Sequence, residues 1–156
     1  MFSDEDTLIL KNPFDLFKSD TEVVHIMYDF VKYSDFTHPN VHWLRAWSNL
    51  FHINKKNCGL KRLNETLFSN KVKSLHPLNA GLMIGKVKYL LKICDLISSI
   101  YNCAGMFPNN AEQGLLNYLF IAGQLDEIGI KFHTHTVEEG LLISCPNYLN
   151  IDDFSN

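Results

Sequence analysis

The chain has 156 residues, of which 46% are hydrophobic, 12% aromatic and 20% charged, and its formal net charge is −3. This composition is typical of one soluble globular domain and excludes fibrous, low-complexity and intrinsically disordered proteins. There is no run of about 18 apolar residues and the first residues are acidic, so the sequence predicts no membrane span, no signal peptide and, by default, a cytoplasmic location.

Short apolar runs predict five β-strands. Three of them cover residues 7–10, 23–27 and 81–85, and their apolar residues are continuous rather than alternating. Continuous apolarity is typical of strands that are covered on both faces. Two further strands are predicted at 130–134 and 141–145, with a turn at Glu138-Glu139-Gly140 between them.

Three segments have the apolar period of an amphipathic helix. Two of them cover residues 41–53 and 86–102, and the third follows Asn110. Asn110 is a favourable N-cap, Gln113 completes a capping pair, and Gly123 can end the last turn. Strands mixed with helices predict a layered α/β domain.

The side chains that usually bind metals or nucleic acids are sparse. The four cysteines, which are Cys58, Cys94, Cys103 and Cys145, form no Cys-x-x-Cys pair, so reduced buried thiols are favoured over a zinc site or a disulfide framework.

The middle of the chain is basic. No aromatic residues interleave with its charges to stack on bases, so a solvated loop is favoured over an anion site and no nucleic-acid partner is predicted. The basic residues are Lys55, Lys56, Lys61, Arg62, Lys71 and Lys73.

Two pairs of side chains lie at spacings that allow both a functional and a structural interpretation. His133 and His135 share one face of a predicted strand, with Glu138 and Glu139 nearby, as the ligands of a zinc ion would. No His-Glu-x-x-His helix accompanies them, so exposed strand histidines are favoured. Trp43 and Trp47, four residues apart, are predicted to pack in the core rather than to stack on a sugar.

Several segments, in the same order, resemble GT-A-type glycosyltransferases. Asp4-Glu5-Asp6, followed by an apolar strand and Asn12-Pro13, is similar to the Asp-x-Asp segment of that family. Asn79-Ala80-Gly81, followed by a strand and a helix, resembles its Asn-[Ser/Ala]-Gly segment. Residues 112–118 resemble its Asp-Gln-Gly-x-x-Asn-Tyr helix, with Glu112 in place of Asp, and residues 138–144 resemble its Glu-Asp-Gly turn and strand.

The resemblance implies a metal-dependent transfer of a sugar from a nucleotide-diphosphate donor to a glycan or protein acceptor. It assigns Mn²⁺ or Mg²⁺ to Asp6, and Asp4 to the same ion or to the donor ribose. It implies that Asn79, Ala80 and Gly81 line the donor sugar, and that Glu112 and Gln113 are catalytic. Plain helix capping is the alternative role for Glu112 and Gln113.

The same resemblance implies an α/β, GT-A-like sheet with flanking helices that is incomplete. The family places a nucleotide-binding half before Asp-x-Asp and a metal-binding histidine after the last strand, and neither is found in this sequence. We therefore expect residues 1–156 to form a single, partial GT-A-like domain that lacks the N-terminal nucleotide-binding half, as a truncated or degenerate derivative. The alternative is a non-catalytic α/β interaction module whose helices at 41–53 and 86–102 contact a partner.

Overall fold

A computed structural model shows a mixed α/β architecture. The structure describes residues 2–3, 7–9, 12, 14–19, 21–28, 32, 42–47, 58–61, 72–105, 111–136, 139 and 142–144. Its strands are β1 (Phe2–Ser3), β2 (Thr7–Ile9), β3 (Val24–Tyr28), β4 (Leu78–Ile84), β5 (Phe132–His135) and β6 (Leu142–Ser144). Its helices are α1 (Phe14–Ser19), α2 (Val87–Ala104), α3 (Ala111–Ile121) and α4 (Gln124–Glu127), and residues 42–47 are also helical.

The six strands that the structure describes form two sheets. One has the order β1-β4-β3-β5, in which β4 is antiparallel to both of its neighbours and β5 is parallel to β3. The other consists of β2 and β6, which are antiparallel. A strand therefore lies at each of the five predicted positions, although the predicted strand at 81–85 begins earlier, at Leu78.

The core lies where the larger sheet packs against the helices. Val24, His25, Ile26 and Met27 of β3 are all buried, which confirms that this strand is covered on both faces. Trp47 is 1% exposed and packs edge-on against the ring of Tyr101, with 5.4 Å between the ring centroids. The predicted core position of Trp47 is therefore confirmed.

Two of the three predicted helices are described almost completely. The predicted helix at 86–102 is α2, whose C-terminal end is set by Gly105 in the left-handed conformation, with φ of 66°. The third is α3, and Gly123, with φ of 70°, follows its last turn as predicted. The proposed N-cap Asn110 lies outside the described residues. Within the described ranges, no helix combines the length and the apolarity that crossing a membrane requires.

Cys58 and Cys103 form a disulfide bond, so the prediction of reduced thiols is wrong for this pair. Tertiary hydrogen bonds hold the segment that contains Cys58. The side chain of Gln124 accepts from the Lys61 amide at 2.8 Å and donates to the Gly59 carbonyl at 2.7 Å. The Tyr118 hydroxyl donates to the Lys61 carbonyl at 2.8 Å. These contacts join residues distant in sequence, which is why cysteine spacing did not reveal the pairing. Cys94, on α2, is a free thiol as predicted, but it is exposed rather than buried.

Candidate functional site

The pairing between β3 and β4 is irregular at the Asn79-Ala80-Gly81 segment. Ile26 pairs with Met83, but the next residue of β3, Met27, pairs with Asn79. Ala80, Gly81 and Leu82 are therefore extra residues on β4 and bulge out of this ladder. Such bulges often lie next to active sites, because they redirect backbone and side chains. The sequence predicts that this strand begins at Gly81, after Asn79 and Ala80, whereas the structure includes both residues in β4.

Two amide side chains bind the backbone of the bulge. The side-chain oxygen of Asn79 accepts a hydrogen bond from the Gly81 amide at 2.8 Å. The side-chain oxygen of Gln113, on α3, accepts one from the Ala80 amide at 3.2 Å. Because a bulge removes amides from the regular ladder, these side chains supply acceptors in its place. Gln113 thus links α3 to β4, a role that the capping interpretation did not include.

Asn117 forms a second link between α3 and β4, one helical turn after Gln113. Its side-chain oxygen accepts from the Leu78 amide at 2.7 Å, and its side-chain nitrogen donates to the Leu78 carbonyl at 2.9 Å. The same nitrogen donates to the Gln113 carbonyl at 2.8 Å. Asn117 is 2% exposed, so these bonds are made away from water. The pair Gln113 and Asn117 therefore fixes the entry and the bulge of β4.

Gly114 lies between these two residues and faces the helical segment 42–47. A Cβ atom added at Gly114 would lie 2.8 Å from the Cβ atom of Trp43 and 2.9 Å from its backbone. Real Cβ atoms do not approach so closely, so the absence of a side chain at Gly114 allows α3 to pack directly against this segment.

Replacing Gly114 by alanine is expected to lower the free energy of unfolding by about 1 to 3 kcal/mol, because the new methyl group overpacks the contact with Trp43. In an isolated helix the same change would be stabilising by about 1 kcal/mol. Destabilisation would therefore show that the contact with Trp43 outweighs the helix preference of alanine. Urea unfolding measures the effect. As the control, Ser98→Ala on the exposed face of α2 should change stability by less than about 0.5 kcal/mol. Stabilisation by Gly114→Ala would contradict the close contact.

The predicted site residues are only partly brought together. Gln113 contacts the Asn79-Ala80-Gly81 segment directly. Glu112 is exposed in the first turn of α3. The pKa of the Tyr101 phenol is raised, first by burial and then by the negative charge of Glu112.

The predicted metal ligands, Asp4 and Asp6, lie outside the described residues. Ser3, which precedes them, pairs with Leu82, the neighbour of Gly81 on β4. Thr7, which follows them, pairs with Ser144 in the smaller sheet. Among the side chains that the structure describes, no group of three or more His, Cys, Asp or Glu is arranged to hold a metal ion.

A second polar cluster joins β3, β5 and the turn that follows β5. Nδ1 of His25 lies 3.0 Å from Nε2 of His135, and Nδ1 of His135 lies 2.6 Å from a carboxylate oxygen of Glu139. His25 and His135 are 2% and 4% exposed. His133 is exposed, as predicted, whereas the prediction of an exposed His135 is wrong. Sequence reasoning missed His25 because it lies in an apolar run, and only the parallel pairing of β3 with β5 brings it to His135.

The hydrogen bond between His135 and Glu139 has an electrostatic consequence. This hydrogen bond is the largest cause of the lowered pKa of the Glu139 carboxyl. The nearby charges of His135 and His133 act in the same direction. At a pH above the ordinary pKa of a glutamate side chain, Glu139 is therefore ionised. Its carboxylate accepts a charge-assisted hydrogen bond from the Nδ1–H group of His135.

Comparison with protein-family models, with curated proteins and with solved structures found no match to this chain. Function is therefore inferred from the chain itself, and first from the bulge of β4 with its contacts to α3.

Proposed function

We propose that this chain is a GT-A-like, metal-dependent glycosyltransferase, or a derivative of one, and that it binds a nucleotide-diphosphate sugar along the bulge of β4. The observation that carries the proposal is the hydrogen bond from the Ala80 amide to Gln113. It joins two segments, about 30 residues apart, that resemble the family independently. The pairing of Ser3 with Leu82 supports the proposal further, since it brings the residue before the acidic segment to the same part of β4.

Each proposed residue has a role that follows from its chemistry. Asp6 and Asp4 would hold Mn²⁺ or Mg²⁺, which neutralises the charge of the diphosphate leaving group when bound. Gly81 and the small Ala80 allow a sugar to approach the backbone closely. The Asn79 amide can donate to a sugar hydroxyl while its oxygen accepts from Gly81.

Glu112 is proposed as the carboxylate that acts on the acceptor substrate. As the acceptor hydroxyl oxygen bonds to the anomeric carbon, the bond from that carbon to the diphosphate breaks and the hydroxyl proton passes to a base. In an inverting enzyme Glu112 would take this proton, and in a retaining enzyme it would position the sugar. Its exposure leaves the side chain open to an acceptor glycan or protein. Gln113 supports the same site from α3 by holding Ala80.

A non-catalytic interaction module is the second candidate function, and one surface feature favours it. Val87 and Leu91 lie one helical turn apart on α2 and are 68% and 56% exposed. Exposed apolar side chains at this spacing are typical of a helix face that contacts a partner. This function would require neither a metal ion nor a nucleotide sugar.

Calorimetric titration with uridine or guanosine diphosphate sugars distinguishes the two functions. We expect saturable binding in the presence of Mn²⁺ that is lost when the metal is chelated, and that weakens at least tenfold in Asp6→Ala. The matched control is Asp95→Ala, which removes an exposed carboxylate on α2 and should bind as the wild type does.

Circular dichroism should show that both variants keep the wild-type fold. Absence of Mn²⁺-dependent binding, or binding that Asp6→Ala leaves unchanged, would reject the glycosyltransferase proposal and favour the interaction module.

A further inference from the structure

The side chains of Glu139, His135 and His25 form a continuous hydrogen-bonded chain, which we call the histidine chain. It connects the turn after β5, β5 itself and β3. Both ring nitrogens of His135 take part, since Nδ1 contacts Glu139 and Nε2 contacts Nδ1 of His25. The two histidines are almost fully buried, so water does not replace a bond that is lost.

The contact between the two imidazoles limits how many protons they can hold. A hydrogen bond between two nitrogens 3.0 Å apart contains one proton, donated by one ring and accepted by the lone pair of the other. Either neutral His135 accepts from His25, or cationic His135 donates to the lone pair of His25. If both rings were cationic, two N–H groups would face each other and two buried positive charges would repel.

The surrounding groups allow one positive charge but not two. Glu139 compensates a cationic His135, because its carboxylate lies 2.6 Å from Nδ1. The exposed ring of His133 stacks on His135 and His25, with centroids 4.6 Å and 5.3 Å away, so its own protonation adds further positive charge. On β4, the residue paired with His25 is Ile84, which is apolar and buried. Among the described neighbours, Glu139 is thus the acidic residue whose negative charge compensates the positive charge of these histidines.

We propose that the histidine chain is an acid-sensitive connection between β3 and β5, which holds at neutral pH and breaks when both of its histidines become cationic. In the unfolded chain each histidine binds its own proton, with an ordinary pKa of about 6.5, whereas the folded pair holds one proton fewer. Unfolding in mild acid therefore takes up an additional proton. As pH falls below about 6.5, stability is lost, and β5 with the Glu139 turn separates from β3. This inference is independent of the glycosyltransferase proposal.

Urea unfolding of the full chain between about pH 5 and pH 7.5 tests the inference. We expect the folding equilibrium constant of the wild type to fall about tenfold per pH unit below about pH 6, which corresponds to one additional proton bound on unfolding. His25→Asn keeps a polar atom near the position of Nδ1 but binds no proton, and it should abolish most of this dependence. The matched control is His42→Asn, which replaces an exposed histidine of the helical segment 42–47 and should keep the wild-type slope.

A second measurement uses the wild type alone, in case His25→Asn does not fold. Nitrogen-15 NMR of the imidazoles reports the protonation state of each ring. We expect one ring of the His25 and His135 pair to stay neutral in the folded protein at about pH 5.5, because the hydrogen bond between the two rings holds a single proton. Equal pH slopes for the wild type and His25→Asn would overturn the inference. So would a folded protein in which both rings are cationic and the β3 and β5 amides remain protected from exchange.

Discussion

Replacement of Asn117 by alanine is expected to lower the free energy of unfolding by about 3 to 5 kcal/mol. The change removes both hydrogen bonds to the backbone of Leu78 and the bond to the Gln113 carbonyl, all at a buried position. Each buried backbone group left without a partner costs about 1 to 3 kcal/mol, and the cavity left by the side chain adds to this. Urea unfolding at neutral pH measures the loss.

The matched control for Asn117 is another asparagine on a helix. Asn102 is exposed on α2, and Asn102→Ala should change stability by less than about 0.5 kcal/mol. In the Asn117 variant, the amides of Ala80 and Gly81 should also exchange faster, because α3 no longer fixes the start of β4. A loss below about 1 kcal/mol would contradict the structural role of Asn117.

Removal of the disulfide by the double change Cys58→Ala and Cys103→Ala is expected to cost about 4 kcal/mol of stability. The bond joins residues 45 apart in sequence, and a loop of this length strongly restricts the unfolded chain. The hydrogen bonds of Gln124 and Tyr118 to segment 58–61 remain in the double variant, so we expect it to fold. Urea unfolding under non-reducing conditions gives the difference.

Two controls separate the disulfide from other effects of the cysteines. Reduction of the wild type should lower its stability to about that of the double variant. Cys94→Ala, which removes the exposed free thiol on α2, should leave stability nearly unchanged. If peptide mapping of the unreduced protein found no link between Cys58 and Cys103, the predicted cost would have no basis.

Local sequence patterns predicted the secondary structure well where burial follows a simple period. Helix α2 was predicted because its apolar residues recur with the helical repeat, and strand β3 because its residues are continuously apolar. The start of β4 was predicted too late, at Gly81. Asn79 and Ala80 lack the apolar pattern of a strand, and their place in β4 depends on hydrogen bonds from α3 and on pairing with β3.

The candidate site was predicted in part. Resemblance selected both the Asn79-Ala80-Gly81 segment and Gln113, and the structure adds that they are in direct contact. The functional roles of these residues, and those of Asp4, Asp6 and Glu112, stay predictions that the binding experiment tests. The histidine cluster was only half recognised, because the sequence shows the spacing of His133 and His135 but not that His25 is their neighbour on β3.

Residue patterns along the chain were enough to predict the mixed α/β class, the approximate positions of five of the six described strands and the long helix α2. These properties depend on the burial and backbone preferences of residues that are close along the chain. Three further contacts became visible only in the folded chain: Cys58 bonds to Cys103, Gln113 and Asn117 hold β4, and His25 meets His135. Each of these contacts joins residues more than 30 positions apart, and their proximity depends on how strands pair and helices pack.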